Sequence, residues 1–284
     1  MKLTRPSDIR NTLAELGRRP DKSAGQHFLC DANILRILLD TAELSAEDAV
    51  VEIGPGLGVL TEELLGRVRR VLAIEMDPVL CDYLGTRLAS PKLQLLCADA
   101  LGLDWPALFK KGFNKVVANL PYSVGSRILV DILRCEPGPE TVVVTVQLEV
   151  ARRLAAETGT GDRGLLSVWA QLCYSVSVKK KIAHSCFYPP PRVQSAIVRM
   201  ARLPEQAAHP AEAERLTPLL KYAFSQRRKQ LVNLLSAPGA PTPRARNATA
   251  EILRKTGLSA TARPEDLTVT NWCELAARLA DTAS

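Results

Sequence analysis

The chain has 284 residues, 46% of them apolar and 24% charged, an ordinary composition for a protein that buries a real core. No run of eighteen or more apolar residues occurs, which argues against a membrane span, and no secretory-type apolar segment opens the chain, so the expected compartment is the cytoplasm. The net charge of +7 is mild but clustered, in "GRRPDK" near the start, "KKK" at 179–181 and "SQRRKQ" at 225–230. Such clusters fit either a polyanion partner held through its phosphates or the solvated faces of a basic protein.

Seven cysteines are scattered without a C-x-x-C pair, and the three histidines, His27, His184 and His209, lie far apart. That spacing suits neither a zinc site nor a disulfide scaffold, so no metal is expected and the thiols read as small apolar residues of a reduced protein.

From Ala49 to about Glu149, short apolar runs alternate with amphipathic stretches. "AVVEIG", "RRVLAIEMD", "LQLLCADA", "NKVVANL" and "TVVVTVQLE" are strand candidates; "VLTEELLGR", "PVLCDYLGTRLA", "DWPALFKK" and "SRILVDILRC" have helical spacing. The alternation predicts an α/β fold, a parallel sheet covered on both faces. Then come a helix in "VARRLAAE", a Gly-rich loop at 158–164, a helix in "LLSVWAQLCYS" and two strands, "VSVKKKIAH" and "SAIVRMARL". After about Leu203 a Pro/Ala-rich linker leads to helical segments, including "RLTPLLKYAFSQRRKQLVNLLS", read as a small all-helical domain. The expected division is a basic extension over 1–22, an α/β domain over 23–203 and a helical domain over 204–284.

Chemistry gathers at the strand ends. In "VVEIGPGLGVLT" the glycines 54, 56 and 58 let backbone approach a ligand, but Val59 stands at the third position of G-x-G-x-x-G. Glu52 would repel a pyrophosphate, so the loop suits a cationic, phosphate-free nucleoside such as S-adenosylmethionine. Glu75, 19 residues after Gly56, is placed to accept from ribose hydroxyls; Asp77 rivals it but also suits a helix cap before Pro78. Asp99 is placed to accept from an adenine amino group, with the Ala100 backbone beside the ring.

The fourth strand ends in "NLPY". For methylation of an exocyclic amine, the Asn119 side-chain oxygen and the Leu120 carbonyl would accept its N–H groups and relieve delocalisation of its lone pair. Pro121 fixes the turn, and Tyr122 offers a face for base stacking. In "CFYPPPRVQSAIV" an aromatic ahead of three prolines would clamp the other face of an extruded base; Tyr188 fits a core plug equally well.

As a set, "GQHFL" (25–29), "EIGPGLGVLT" (52–61), "IEMD" (74–77), "ADAL" (98–101), "NLPYSV" (119–124), "FYPPPRVQSAIV" (187–198) and "AFSQRRKQL" (223–231) resembles the ribosomal RNA adenine dimethyltransferases. The resemblance runs from about residue 22 to the C-terminus in the family's motif order. It is strongest to the branch that dimethylates two adjacent adenines near the 3′ end of 16S small-subunit RNA during ribosome biogenesis. It implies a Rossmann-like class I S-adenosylmethionine-dependent sheet with a helical C-terminal domain. By resemblance, Gln26, His27 and Leu29 meet the methyl donor with Glu52, Gly54, Gly56, Glu75, Met76, Asp99, Ala100 and Asn119. Asn119, Leu120, Pro121, Tyr122 and Phe187 hold the target base, and Arg227, Arg228 and Lys229 meet RNA. His27 stands where many members have Asn, and Ser123-Val124 replaces the frequent Asn-Ile. The implied partner is small-subunit RNA, within a pre-assembled subunit, and the expected state is a monomer.

Other readings use the same residues differently. Antibiotic-resistance enzymes that methylate large-subunit RNA share the catalytic motifs but not this form of "FSQRRKQLVNLL". A non-catalytic assembly factor would have no use for an intact Asn119 and Tyr122. A DNA adenine methyltransferase would need a DNA-reading module, and none stands out. An NAD-dependent oxidoreductase conflicts with Glu52 and leaves "NLPY" idle.

Overall fold

The computed structural model describes residues 4–21, 25–204 and 212–281. The chain divides into two compact units, 1–151 with 175–202 and 152–174 with 203–284. Residues 152–174 thus group with the C-terminal segment rather than with the sheet, a division that composition did not signal.

Among the described residues the first unit holds nine strands: β1 (Phe28–Leu29), β2 (Ala49–Ile53), β3 (Arg70–Glu75), β4 (Leu93–Cys97), β5 (Lys115–Asn119), β6 (Thr141–Gln147), β7 (Tyr174–Ile182), β8 (Phe187–Tyr188) and β9 (Ser195–Arg202). Seven of them form one sheet in the order β4-β3-β2-β5-β6-β9-β7. The pairings from β4 through β6 are parallel, and β9 runs antiparallel to β6. All five residues of β2 are buried, as are Val116, Val117 and Ala118 of β5, because a parallel strand covered on both faces has no solvent side. That is why these strands read as unbroken apolar runs.

The strand order reverses between β2 and β5: the chain moves from β2 outward to β3 and β4, then returns to β5 and β6 on the other side. In such sheets the crevice beyond the carboxyl ends of the strands at the reversal takes the ligand. The helix Ala32–Thr41, absent from the sequence expectations, is capped by Asp31, which accepts from the Asn33 and Ile34 N–H groups at 2.9 Å each. Its Leu35, Leu38 and Leu39 join Leu64, Val71, Val117, Val143 and Ile197 in the core.

The N-terminal segment also differs from expectation. Pro6–Glu15 is a helix whose Ile9 and Leu13 pack with Leu57, Leu80 and Cys30, so it is part of the sheet unit. The i, i+4 spacing of those two residues was visible in the sequence. Antiparallel pairing of β1 with β8 in a two-residue ribbon, Phe28 opposite Tyr188 and Leu29 opposite Phe187, is below the length that periodicity can detect.

In the second unit, helices span Leu165–Gln171, Glu212–Ser225, Leu231–Leu235, Arg246–Lys255 and Val269–Asp281. The long segment around "SQRRKQ" breaks in two because the Leu231 N–H donates to Ala262 O at 2.8 Å instead of continuing the helical ladder. Leu220, Leu231, Leu235, Leu253 and Trp272 form its buried interior. Among the described residues no helix is long and apolar enough to cross a membrane.

Candidate active site

A cavity of about 420 Å³ opens at the carboxyl ends of β2, β3 and β5, within the sheet unit. The loop after β2 shapes its floor. Gly54, Gly56 and Gly58 all have φ between 58° and 79°, a region that L side chains rarely adopt. A Cβ on Gly56 would lie 2.8 Å from the Phe28 ring, so this turn requires glycine sterically as well.

Three carboxylates, Glu52, Glu75 and Asp99, line the cavity, and among the described residues no Lys or Arg does. Glu75 at the end of β3 accepts from the backbone N–H groups of Gly56 at 3.1 Å, Met76 at 2.8 Å and Asp77 at 3.1 Å. Burial nevertheless holds its carboxyl above the ordinary range, against those hydrogen bonds. Asp77 caps the helix Pro78–Arg87 through the Val79 N–H and pairs with Arg18 at 2.7 Å, which commits it to structure. Asp99 is exposed and accepts from the Leu101 N–H at 2.9 Å, beside the buried Ala100. Met76 is 61% exposed, an apolar side chain at the cavity rim.

Glu52 is fully buried in β2, and its Oε2 has no hydrogen-bond partner among the described residues. Burial pushes its carboxyl up to about 8; the Thr61 hydroxyl acts in the other direction, and the Glu75 charge adds to the rise. Neither the carboxyl's shifted proton affinity nor its neighbour Thr61 was apparent from spacing.

Asn119 ends β5. Its Nδ2 donates to the His27 carbonyl at 2.8 Å. That bond fixes the amide's orientation, since a carbonyl can only accept, and leaves Oδ1 buried with no partner among the described residues. Leu120 and Pro121 line the cavity beside it. The Leu120 N–H donates to Thr145 O at 3.2 Å, and the Gly125 N–H donates to Pro121 O at 2.8 Å, opening the helix Gly125–Leu133.

Gln26, His27 and Leu29 also line the cavity. Gln26 Oε1 accepts from the Asp21 N–H at 3.0 Å, and His27 Nδ1 donates to Pro189 O at 2.7 Å. Tyr122, half-buried, and Phe187 do not line this cavity. The Tyr122 hydroxyl bonds Ser195 Oγ, and burial pushes the phenol up to about 12. Its ring lies 5.0 Å from His27 and edge-on to Phe187 at 6.3 Å. Phe187 itself is buried in the core with Leu29 and Ile34. Ile9, Phe28 and Ser123, which sequence reasoning did not select, complete the cavity wall.

Arg227, Arg228 and Lys229 lie in the helical unit, all exposed, in the break after Ser225. Arg227 Nη2 donates to Arg163 O at 2.9 Å and to Gly161 O. Among the described residues no three His, Cys, Asp or Glu side chains converge as a metal site.

The sequence matches the ribosomal RNA adenine dimethylase family over residues 18–281. The chain belongs to that family. It is 38% identical over 260 residues to "Ribosomal RNA small subunit methyltransferase A" of Levilactobacillus brevis, covering 89% of this chain and 88% of that protein. The protein of that name from Streptomyces griseus is 38% identical over 288 residues, covering 98% and 96%. Among solved structures, a dimethyladenosine transferase from Plasmodium falciparum aligns with a TM-score of 0.80 at 22% identity, over 90% of this chain and 98% of that one. The 23S rRNA methyltransferase ErmE aligns at 0.67 with 28% identity, over 89% and 99%. The Plasmodium likeness establishes the fold: an α/β, Rossmann-like class I methyltransferase sheet. Family membership makes the chain a ribosomal RNA adenine dimethyltransferase, in agreement with the resemblance carried by its motifs.

Proposed function

We propose that this enzyme transfers methyl groups from S-adenosylmethionine to N6 of two adjacent adenines near the 3′ end of 16S RNA, giving N6,N6-dimethyladenine during ribosome biogenesis. The observation that carries this reading is the buried Oδ1 of Asn119, unpartnered among the described residues, at the edge of a cavity that these residues line with carboxylates and no cation. An orphaned buried acceptor is costly unless a ligand supplies the donor. An exocyclic amine supplies two.

The residues present fit the donor. S-adenosylmethionine, when bound, supplies an electrophilic methyl group on a positively charged sulfur. Glu52, with its unpartnered oxygen, and the glycine loop would hold its charged amino acid end. Glu75 would take ribose hydroxyls, while Met76, Asp99 and Ala100 would hold the adenine and Gln26, His27 and Leu29 would cover it. A pyrophosphate cofactor would face three carboxylates and, among the described residues, no cation, which disfavours an oxidoreductase.

Asn119 Oδ1 and the Leu120 carbonyl would accept from the target amine, drawing its lone pair out of the ring toward the methyl group. Pro121 holds the turn that presents that carbonyl. Tyr122 would stack on the base, with the Phe187 ring edge supporting it from the core side. The chain's own contribution is position and oriented dipoles, which suits a reaction whose electrophile arrives already activated.

In the same reading the helical unit contacts RNA through Arg227, Arg228 and Lys229, the substrate is a pre-assembled small subunit, and the enzyme acts in the cytoplasm as a monomer. Identity to the small-subunit relatives, at 38%, exceeds that to ErmE, at 28%, which favours the small-subunit branch over the large-subunit one.

The test uses tritiated S-adenosylmethionine and small subunits from a strain lacking the dimethyltransferase. Wild type is expected to label them as N6,N6-dimethyladenine near the 3′ end, with Asn119→Ala about 10²–10³-fold slower, by analogy with loss of one preorganised polar contact in other active sites. Label on large-subunit RNA instead would move the enzyme to the other branch. Donor binding without transfer to either RNA would leave an assembly factor.

A further inference from the structure

A second concavity, of about 720 Å³, lies in the sheet unit between the end of the N-terminal helix and the segment following β8. Arg10, Arg18, Arg19 and Leu13 line one side, Tyr188 and Pro189 the other, and among the described residues no carboxylate lines it. Arg18 is held by Asp77 at 2.7 Å. Arg10 and Arg19 are exposed and make no ion pair among the described residues. Two unneutralised guanidinium groups beside a half-buried phenol ring form a polyanion-binding combination: charge for phosphate and a flat face for a base or ribose.

The groove shares a wall with the catalytic cavity. Ile9 lines the cavity while the adjacent Arg10 lines the groove. Phe28 lines the cavity while its strand partner Tyr188 lines the groove. His27, in the cavity wall, donates to the carbonyl of Pro189, which lines the groove. A chain whose target base enters the cavity would therefore pass its neighbouring nucleotides within reach of this groove.

We propose that the groove is a subsite for single-stranded RNA adjoining the target adenine, with phosphates on Arg10 and Arg19 and a base or ribose on Tyr188. This rests on the RNA-methylating reading above and extends it to a surface outside the donor cavity. The function of the basic cluster near the N-terminus is then substrate placement. Tyr188 faces RNA, and the aromatic beside it in sequence, Phe187, serves the core.

The test compares wild type with the double variant Arg10→Gln/Arg19→Gln, with Tyr188→Ala and with Tyr188→Phe. Each is measured for binding to unmethylated small ribosomal subunits across a salt series, and for S-adenosylmethionine binding by calorimetry. Loss of two phosphate contacts on a single strand is expected to flatten the logarithmic salt dependence by about 1.4. Tyr188→Ala is expected to lower subunit affinity about tenfold, and Tyr188→Phe to stay near wild type because the stacking face remains. Donor affinity is expected to be unchanged in the double variant and in Tyr188→Phe, which also shows that they fold. An unchanged salt slope in the double variant, while wild type methylates the subunits, overturns the groove and leaves the enzyme's function intact. Weakened donor binding in the double variant also overturns it, because the arginines would then serve the first cavity. Absence of any subunit binding or methylation by wild type overturns both readings together.

Discussion

Two buried polar centres, one in each unit, are built on opposite principles. In the sheet unit, Glu52 Oε2 and Asn119 Oδ1 are buried and unpartnered among the described residues. In the helical unit, Arg163 is just as deeply buried, yet its Nε donates to Leu267 O at 3.0 Å and its Nη1 to Ala156 O at 3.0 Å and Gln171 Oε1 at 2.9 Å. One centre keeps hydrogen-bonding capacity open at a cost to stability; the other closes it. An open buried acceptor that lines a cavity, as both of these do, marks a place where a ligand is expected, whereas a closed buried cation marks a structural joint.

The contrast is sharpest at Glu52, where pH separates the two designs. Its carboxyl titrates near 8 in the folded protein and in the ordinary carboxylate range when unfolded. Below the unfolded value both states are protonated and Glu52 costs nothing. As pH rises from about 4.5 to 8, the unfolded chain releases its proton while the folded one retains it, so stability falls across that window. Glu52→Gln removes this slope. Urea denaturation at pH 4.5 and pH 8.5 is therefore expected to show the variant gaining roughly 3–5 kcal/mol on wild type between the two. A pH-independent difference would mean that Glu52 has a partner. Because a cationic donor favours the ionised form, wild type is expected to release protons on binding S-adenosylmethionine near pH 7, and Glu52→Gln to release fewer and bind more weakly.

Arg163 tests the closed centre. Arg163→Met keeps length and apolar contact but strands Leu267 O and Gln171 Oε1; Ala156 O retains the Gln171 Nε2 at 3.0 Å. Two orphaned acceptors are expected to lower stability by roughly 2–4 kcal/mol in urea denaturation. The loss is expected to be equal with and without bound donor. A loss confined to subunit binding would instead make Arg163 part of an interaction surface.

The same contrast explains what the sequence could disclose. The five parallel strands were legible because burial on both faces leaves continuous apolar runs, and the glycine loop because its positive φ values restrict residue choice at Gly54, Gly56 and Gly58. Glu75, Asp99 and Asn119 could be placed at strand ends, since that placement follows from strand order alone. The hydrogen bonding at Asn119 was not legible, because it depends on the His27 carbonyl, 92 residues away. The sequence reading preferred Phe187 to Tyr188 as the clamp, but the β1–β8 register puts Phe187 in the core and Tyr188 at the groove. Arg163 drew no notice within "TGTGDRG", for nothing local marks an arginine that will be buried.

The smallest expected effect divides residues that the sequence presented as one cluster. Arg227 and Arg228 are adjacent and both exposed, but among the described residues only Arg227 is tied down, through Nη2, to the carbonyls of Gly161 and Arg163 in the loop that the closed centre anchors. Arg227→Ala is expected to lower stability by about 1 kcal/mol or less, the net worth of an ordinary hydrogen bond. Arg228→Ala has no such bond to lose and is expected to leave the urea midpoint unchanged. In binding to small subunits the order reverses: Arg228→Ala is expected to flatten the salt dependence by about 0.7, the signature of one phosphate contact, and Arg227→Ala by less, because its guanidinium is partly engaged within the protein. Equal salt slopes for the two variants would show that RNA draws Arg227 away from the loop, so that the tether marks a resting arrangement and both arginines belong to the interface.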